Sequence, residues 1–172
     1  INSTLSDNTS AVKGGALYIS NNNFEGHFLT VVNNSGGGSD GGIFIDNDNK
    51  EDFVLQSSIV MNNLPNNCSK AVESLGYNLS NEDNDCGIFN PGGAGFEDFV
   101  LSYLDVNADS RVLPLPVDNE FVQDIIPLSK CESIFSELSG RLGEGAMLDQ
   151  LGQIRPIGGG CEPGAYEQSS NR

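Results

Sequence analysis

Gly14-Gly15-Ala16-Leu17-Tyr18-Ile19-Ser20-Asn21-Asn22 recurs as Gly41-Gly42-Ile43-Phe44-Ile45-Asp46-Asn47-Asp48. Each copy is a Gly pair, an apolar run and a polar Asn/Asp run, and the copies start 27 residues apart (41 minus 14). A second unit recurs out of phase with the first: Thr4-Leu5-Ser6-Asp7-Asn8, Thr30-Val31-Val32-Asn33-Asn34 and Ser58-Ile59-Val60-Met61-Asn62. Its first and third copies lie 54 residues apart (58 minus 4), twice the same period. A fixed period of about 20 to 50 residues marks a stacked repeat architecture. Short β-branched or aromatic runs bounded by Gly and Asn read as strands. One such unit cannot bury its inward face, whereas stacked units can. Asn suits the corners because it tolerates the left-handed conformation and bonds its own backbone. Asn side chains at matching positions would stack as a hydrogen-bonded ladder. The expected fold is all-β, a right-handed parallel β-helix with coils of about 27 residues and a C-terminal cap containing short helices. The competing architecture is an antiparallel β-sandwich.

Residues 1–63 read as the coils, and residues 64–172 as the last coil with the capping region. Gly36-Gly37-Gly38-Ser39-Asp40-Gly41-Gly42 lacks the Lys-Ser/Thr ending of a phosphate-binding loop and reads as a wide turn. Phe96, Phe99, Val100, Tyr103 and Leu104 fall at helical spacing. Ser129-Lys130-Cys131-Glu132 fits a helix capping box, with Cys131, Ile134, Phe135 and Leu138 as an apolar face and Gly140 as the stop. A cap has a physical purpose, because the last coil would otherwise expose core and unpaired strand edges. The chain opens at Ile1 inside a repeat copy, which points to a processed product or a piece of a longer exported chain.

The net charge is -16, from 24 acidic and 8 basic residues. Such a chain cannot neutralise phosphates, which argues against a nucleic-acid partner. No apolar run approaches a membrane span of about 18 residues. Cys68, Cys86, Cys131 and Cys161 allow three disulfide pairings, and nearest-neighbour pairing would close two separate loops. Two disulfides imply an oxidising compartment, hence a secreted protein or a bacterial cell-surface one. Four buried free thiols are the alternative.

Three further stretches belong together: Asn67-Cys68-Ser69, Ser74-Leu75-Gly76-Tyr77-Asn78-Leu79-Ser80 with Asp85-Cys86-Gly87, and Arg155-Pro156-Ile157-Gly158-Gly159-Gly160-Cys161-Glu162-Pro163-Gly164-Ala165-Tyr166-Glu167. With the Gly-Gly-Ala-Leu-Tyr and Asn-Ser-Thr-Leu-Ser-Asp-Asn repeats, they resemble the C-terminal part of the bacterial choice-of-anchor Q surface proteins. The repeats are also similar to those of polymorphic outer-membrane adhesins. The resemblance implies export and a parallel β-helix, and no single biochemical activity. Two departures stand out. Glu162 replaces the family's Asp, and Ser129 to Gly140, with Cys131 added, replaces its Ser-Pro-Ala-Ile-Asp-x-Gly element.

No cofactor is required by any motif, and calcium is the one cation the chain suggests. Asp105, Asn107 and Asp109 alternate as oxygen ligands would. However, Ser110 stands where a turn Gly belongs and Pro116 where a bidentate Glu belongs. Asp46, Asp48 and Asp52 form a weaker set. No catalytic residues are assigned. Glycoside hydrolysis needs two carboxylates about 5 to 9 Å apart, and aligning Asp7 with Asn33 and Met61 yields no recurrent pair. No Trp is present to stack on a sugar. His27, the single His, reads as a surface or turn residue. The sequence thus points to a non-catalytic extracellular structural or adhesive protein, a surface, matrix or filament component. It would self-associate end to end as a homo-oligomer or filament, or bind a cell-surface or polysaccharide ligand. The alternative is a carbohydrate-active module of the polysaccharide lyase or hydrolase type, or a carbohydrate-binding one.

Overall fold

The computed structural model describes residues 1–20, 23–38, 41–46, 53–80, 86–87, 104–105, 111–112 and 123–167. The largest sheet is parallel, with β1 (Ser3–Ser6), β5 (Leu29–Val32), β9 (Ile59–Met61) and β11 (Leu79–Ser80) side by side in that order. A three-stranded parallel sheet joins β4 (Phe24–His27), β8 (Phe53–Gln56) and β10 (Glu73–Ser74), with β8 in the middle. Two parallel pairs complete this part: β2 (Thr9–Ser10) with β6 (Ser35–Gly36), and β3 (Leu17–Ser20) with β7 (Ile43–Asp46).

Successive copies of the repeat therefore lie side by side in register. Thr4 faces Thr30 and Leu17 faces Ile43, then Thr30 faces Ile59 and Phe24 faces Phe53. The offset is 26 residues in the first step, 29 in the second and 20 in the third. Between strands the chain turns at residues in the left-handed region. Asn2, Phe28, Ser57 and Tyr77 have φ of 50°, 51°, 53° and 56° and form one stack of corners. Asp7, Asn33 and Asn62 form a second, at 57°, 58° and 55°. The corner N–H groups of Asn2, Asp7, Phe28, Asn33 and Ser57 bond the copy alongside, as in Phe28 N–H to the Gln56 carbonyl and Asn33 N–H to that of Met61. Inside, alternate residues Leu29 and Val31, Ile43 and Ile45, Phe53 and Leu55, and Val60 meet in one apolar core with Cys68, Val72 and Cys86.

The all-β, right-handed parallel β-helix with coils of about 27 residues is not what the described residues form. They form six separate small sheets, two of them antiparallel, beside a 15-residue helix, and no closed or continuous β-helix is seen among them. The strands are only two to four residues long and the offset changes at every step, so the pairing does not run on as uniform coils. The capping segment departs furthest. There β12 (Leu104–Asp105) pairs antiparallel with β13 (Arg111–Val112), and β14 (Ile126–Pro127) with β15 (Gly160–Cys161).

The expected helix through Phe96 and Tyr103 lies outside the described residues except for Leu104, which is on a strand. The helix that is present, α1, spans Leu128–Leu142 and buries Cys131, Ile134, Phe135 and Leu138. It begins after Pro127, which pre-sets a turn-compatible φ of -56°, and no side chain caps it, so the Ser129–Glu132 capping box does not form. It runs through Gly140 and ends at Gly143, where φ is 88°. A single 3-10 turn, Glu144–Met147, follows. Disulfides join Cys68 to Cys86 and Cys131 to Cys161, with Cα atoms 4.9 and 6.1 Å apart. The second ties α1 to β15.

Candidate functional site

Two polar constructions mark the described residues, one built across the repeat copies and one within the closing segment. The first is an asparagine ladder. Asn8 donates its side-chain amide to Asn34 Oδ1 at 2.9 Å, Asn34 to Asn63 Oδ1 at 2.9 Å, and Asn63 to Asn67 Oδ1 at 2.9 Å. Asn67 closes the run on Ser80 Oγ at 3.1 Å. The same oxygens accept the backbone N–H of Asn8, Asn34 and Asn63. Asn34, Asn63 and Asn67 are buried, which their hydrogen bonds make tolerable. Each Asn sits one residue beyond a left-handed corner or in the turn after it, so the ladder follows from the repeat. The glycine pairs serve the same stacking. A Cβ on Gly15 would lie 2.6 Å from the carbonyl oxygens of Gly41 and Ser35, and one on Gly42 would lie 2.6 Å from that of Asn67.

The second construction is a buried charge cluster in the layer that covers the four-stranded sheet. Asn2 donates to the carbonyls of Ala146 and Leu148, and Ala165 N–H donates to Thr30 Oγ1 at 2.9 Å. These bonds hold the closing segment against β1 and β5. Within it Arg155 is fully buried. Its guanidinium donates to the carbonyls of Glu162 at 3.0 Å and Gly164 at 2.7 Å, and lies 4.6 Å over the Phe28 ring. Glu167 Oε2 is 3.5 Å from it.

Three buried carboxylates surround this cation, and each holds backbone. Asp149 accepts from the N–H of Leu151, Gln153 and Glu167, and Glu162 from that of Asp124. Glu167 accepts from the N–H of Ile157 and Glu162. Burial pushes the Glu167 carboxyl up to about 8, with Arg155 opposing the rise and Glu162 adding to it. Burial also pulls the Arg155 guanidinium down against the pull of Glu167, Asp149 and Glu162. One cation among three carboxylates favours a retained proton on Glu167.

A smaller group joins β4, β8 and α1. His27 is buried, correcting the surface reading, with Nδ1 3.0 Å from Gln56 Oε1 and Nε2 2.8 Å from Glu25 Oε1. Arg141 of α1 donates two bonds to the Glu25 carboxylate. Arg141 foremost, then His27, holds that carboxyl down at about 2 against the opposing effect of burial.

Of the calcium set, Asp105 lies on β12 with its backbone facing Arg111, while Asn107 and Asp109 lie outside the described residues. Of the weaker set, Asp46 accepts from the Tyr18 hydroxyl at 2.9 Å, while Asp48 and Asp52 lie outside. Among the described residues no group of three His, Cys, Asp or Glu side chains is placed to hold a metal ion. The register sets Asp7 and Asn33 beside Asn62 instead of Met61, because the second step is three residues longer than the first. The cluster of Asp149, Arg155, Glu162 and Glu167 was not foreseen as a site. Its only sequence signal is that three of the four belong to the closing Arg-Pro to Tyr-Glu motif. No family model, curated protein or solved structure matches the chain.

Proposed function

We propose that this chain is a non-catalytic, extracellular structural or adhesive protein that self-associates. One observation carries the reading: among the described residues the buried amides of the asparagine ladder and the buried carboxylates of the closing layer are engaged in holding backbone, and buried His27 is held between Gln56 and Glu25. Asn34, Asn63 and Asn67 join neighbouring copies, and Asp149, Glu162 and Glu167 each accept from main-chain N–H groups. A general acid or nucleophile must instead be within reach of a substrate. The two disulfides are consistent with an oxidising compartment outside the cytoplasm. Among the described residues no helix is long and apolar enough to cross a membrane. The resemblance to choice-of-anchor Q surface proteins supports export in the same direction, and the residues that carry it do structural work.

The test is turnover. Purified chain is incubated with a panel of neutral and acidic polysaccharides, and reducing ends and unsaturated uronates are read. The reading predicts no product above buffer. Product that scales with protein and disappears on denaturation would replace it with the carbohydrate-active alternative.

A further inference from the structure

At the centre of the closing segment one cation, Arg155, meets the carboxylates of Asp149, Glu162 and Glu167, and all four side chains are no more than 5 % exposed. Asp124 borders the group, its N–H bonded to Glu162. The sheet beneath supplies no balancing charge, because β1, β5, β9 and β11 hold no charged residue. Nor do the corner residues Asn2, Phe28, Ser57 and Tyr77 bring a cation. On α1, Lys130 and Arg141 are exposed, and Arg141 is paired with Glu25. With every carboxyl ionised the cluster would hold more buried negative charge than Arg155 can offset, which a dry interior makes costly. The Glu162 and Glu167 carboxyls are also hydrogen-bonded to one another, and that bond requires a proton on one of them.

The same carboxylates shape the segment. Asp149 holds the N–H groups of Leu151, Gln153 and Glu167, and Glu167 those of Ile157 and Glu162. The polar bonds from the segment to the sheet and its corners are few: Asn2 to the Leu148 carbonyl, Thr4 to Gln150, Ala165 to Thr30, and Gly164 to the Ser57 carbonyl. By contrast, the apolar core of the repeat copies contains no titratable side chain, since its two cysteines are disulfide-bonded. Charge imbalance therefore loads the closing segment and leaves the copies beneath it untouched.

We propose that the segment from Asp149 to Glu167 is a proton-operated cover: with the proton between Glu162 and Glu167 in place it lies shut on the four-stranded sheet, and on losing that proton it opens while the repeat copies stay folded. Opening lets water reach the carboxylates and uncovers Thr30 and Ile59, which approach Gly164 so closely that a Cβ there would lie 2.7 and 2.9 Å from them. The Cys131–Cys161 disulfide keeps the open segment tethered to α1. Burial holds the Glu167 carboxyl up at about 8, against an ordinary 4.5, so closure weakens as pH rises through that window and levels off above it. The device stands whether or not the chain is a structural protein.

Native-state hydrogen exchange of the full chain, from about pH 5 to about pH 8 and corrected for the intrinsic pH dependence of each amide, tests it. The reporters are the N–H groups of Leu151, Gln153, Gly164, Ala165 and Glu167. They should exchange through an opening that low denaturant does not promote, with less protection than β5 and β9. The opening constant should rise by up to about tenfold per pH unit. Glu167→Gln should remove most of that rise, and Glu144→Gln, exposed on the 3-10 turn, should keep it. Should Glu167→Gln not fold, Glu162→Gln removes the other partner of the shared proton and is read the same way. A segment that exchanges only when β5 and β9 unfold overturns the proposal. An opening constant that is flat with pH in the parent chain, or a Gln variant at either position with the parent's slope, overturns it as well.

Discussion

Asn34 holds three copies of the repeat together with one side chain. Its amide donates to Asn63 Oδ1 and to the carbonyls of Leu5 and Val32, while its own oxygen accepts from Asn8. Asn34→Ala strands buried partners on both sides and should cost about 3 kcal/mol. That is a fall of about 6 to 12 °C in melting temperature for a domain of this size. Asn8→Ala removes the exposed end of the same ladder and should cost less than about 1 kcal/mol. Calorimetry of the two variants checks the contrast. The ladder was legible in the Asn-rich repeat because a side-chain amide can both donate and accept. Its phase was not, because a three-residue lengthening between copies moves Asn62, not Met61, beside Asn33. His27 escaped for a similar reason. Its covering partner Gln56 comes from the next copy, 29 residues on.

Glu167 gives the residue scale a pH dependence. Its carboxyl is held near 8 in the fold and near the ordinary 4.5 in the unfolded chain. The folded state thus binds the proton more tightly, and stability falls as pH rises from about 4.5 to about 8, by up to about 1.4 kcal/mol per unit. Melting temperature should drop through that window, and Glu167→Gln should flatten the drop. An unchanged profile in the variant would place the proton elsewhere.

At the scale of elements, α1 is the piece that fastens the closing layer. The burial of Cys131, Ile134, Phe135 and Leu138 was readable from 3.6-residue spacing. The start was misread because Pro127 opens the helix two residues before Ser129, leaving the Ser hydroxyl inside the first turn. Gly140 does not stop the helix, which runs on to Gly143, where the positive φ lies. Phe135 stacks on Phe28 at 5.0 Å, and that contact joins the layer to a corner of the parallel sheets. Phe135→Ala should cost about 3 to 5 kcal/mol, measured by denaturant unfolding. Replacing both Cys131 and Cys161 by Ala reopens a loop of 30 residues and should cost about 3 to 4 kcal/mol. The Arg141–Glu25 pair is a lesser fastening. Its guanidinium is half exposed, so water screens the pair and Arg141→Ala should barely move the unfolding midpoint.

On the scale of the whole molecule, the parallel stacking of copies was written in the sequence and the β-helix was not what formed. The repeat places like residues side by side, Thr4 on Thr30 and Leu17 on Ile43. A period alone does not say how long each strand is or whether the offset is constant, and here strands are short and the offset falls from 29 to 20. Nor could it reveal that Asp149 and Arg155 would be buried within the closing layer, because the groups that hold them meet only when the segment from Asp149 to Glu167 folds on itself. The central claim is that copies of the repeat stack in register. Amide hydrogen exchange, resolved by residue, tests it most directly. The account predicts strong protection of β5 and β9, the middle strands of the four-stranded sheet, and of the Asn34 and Asn63 side chains. Fast exchange at β5 and β9 would contradict it.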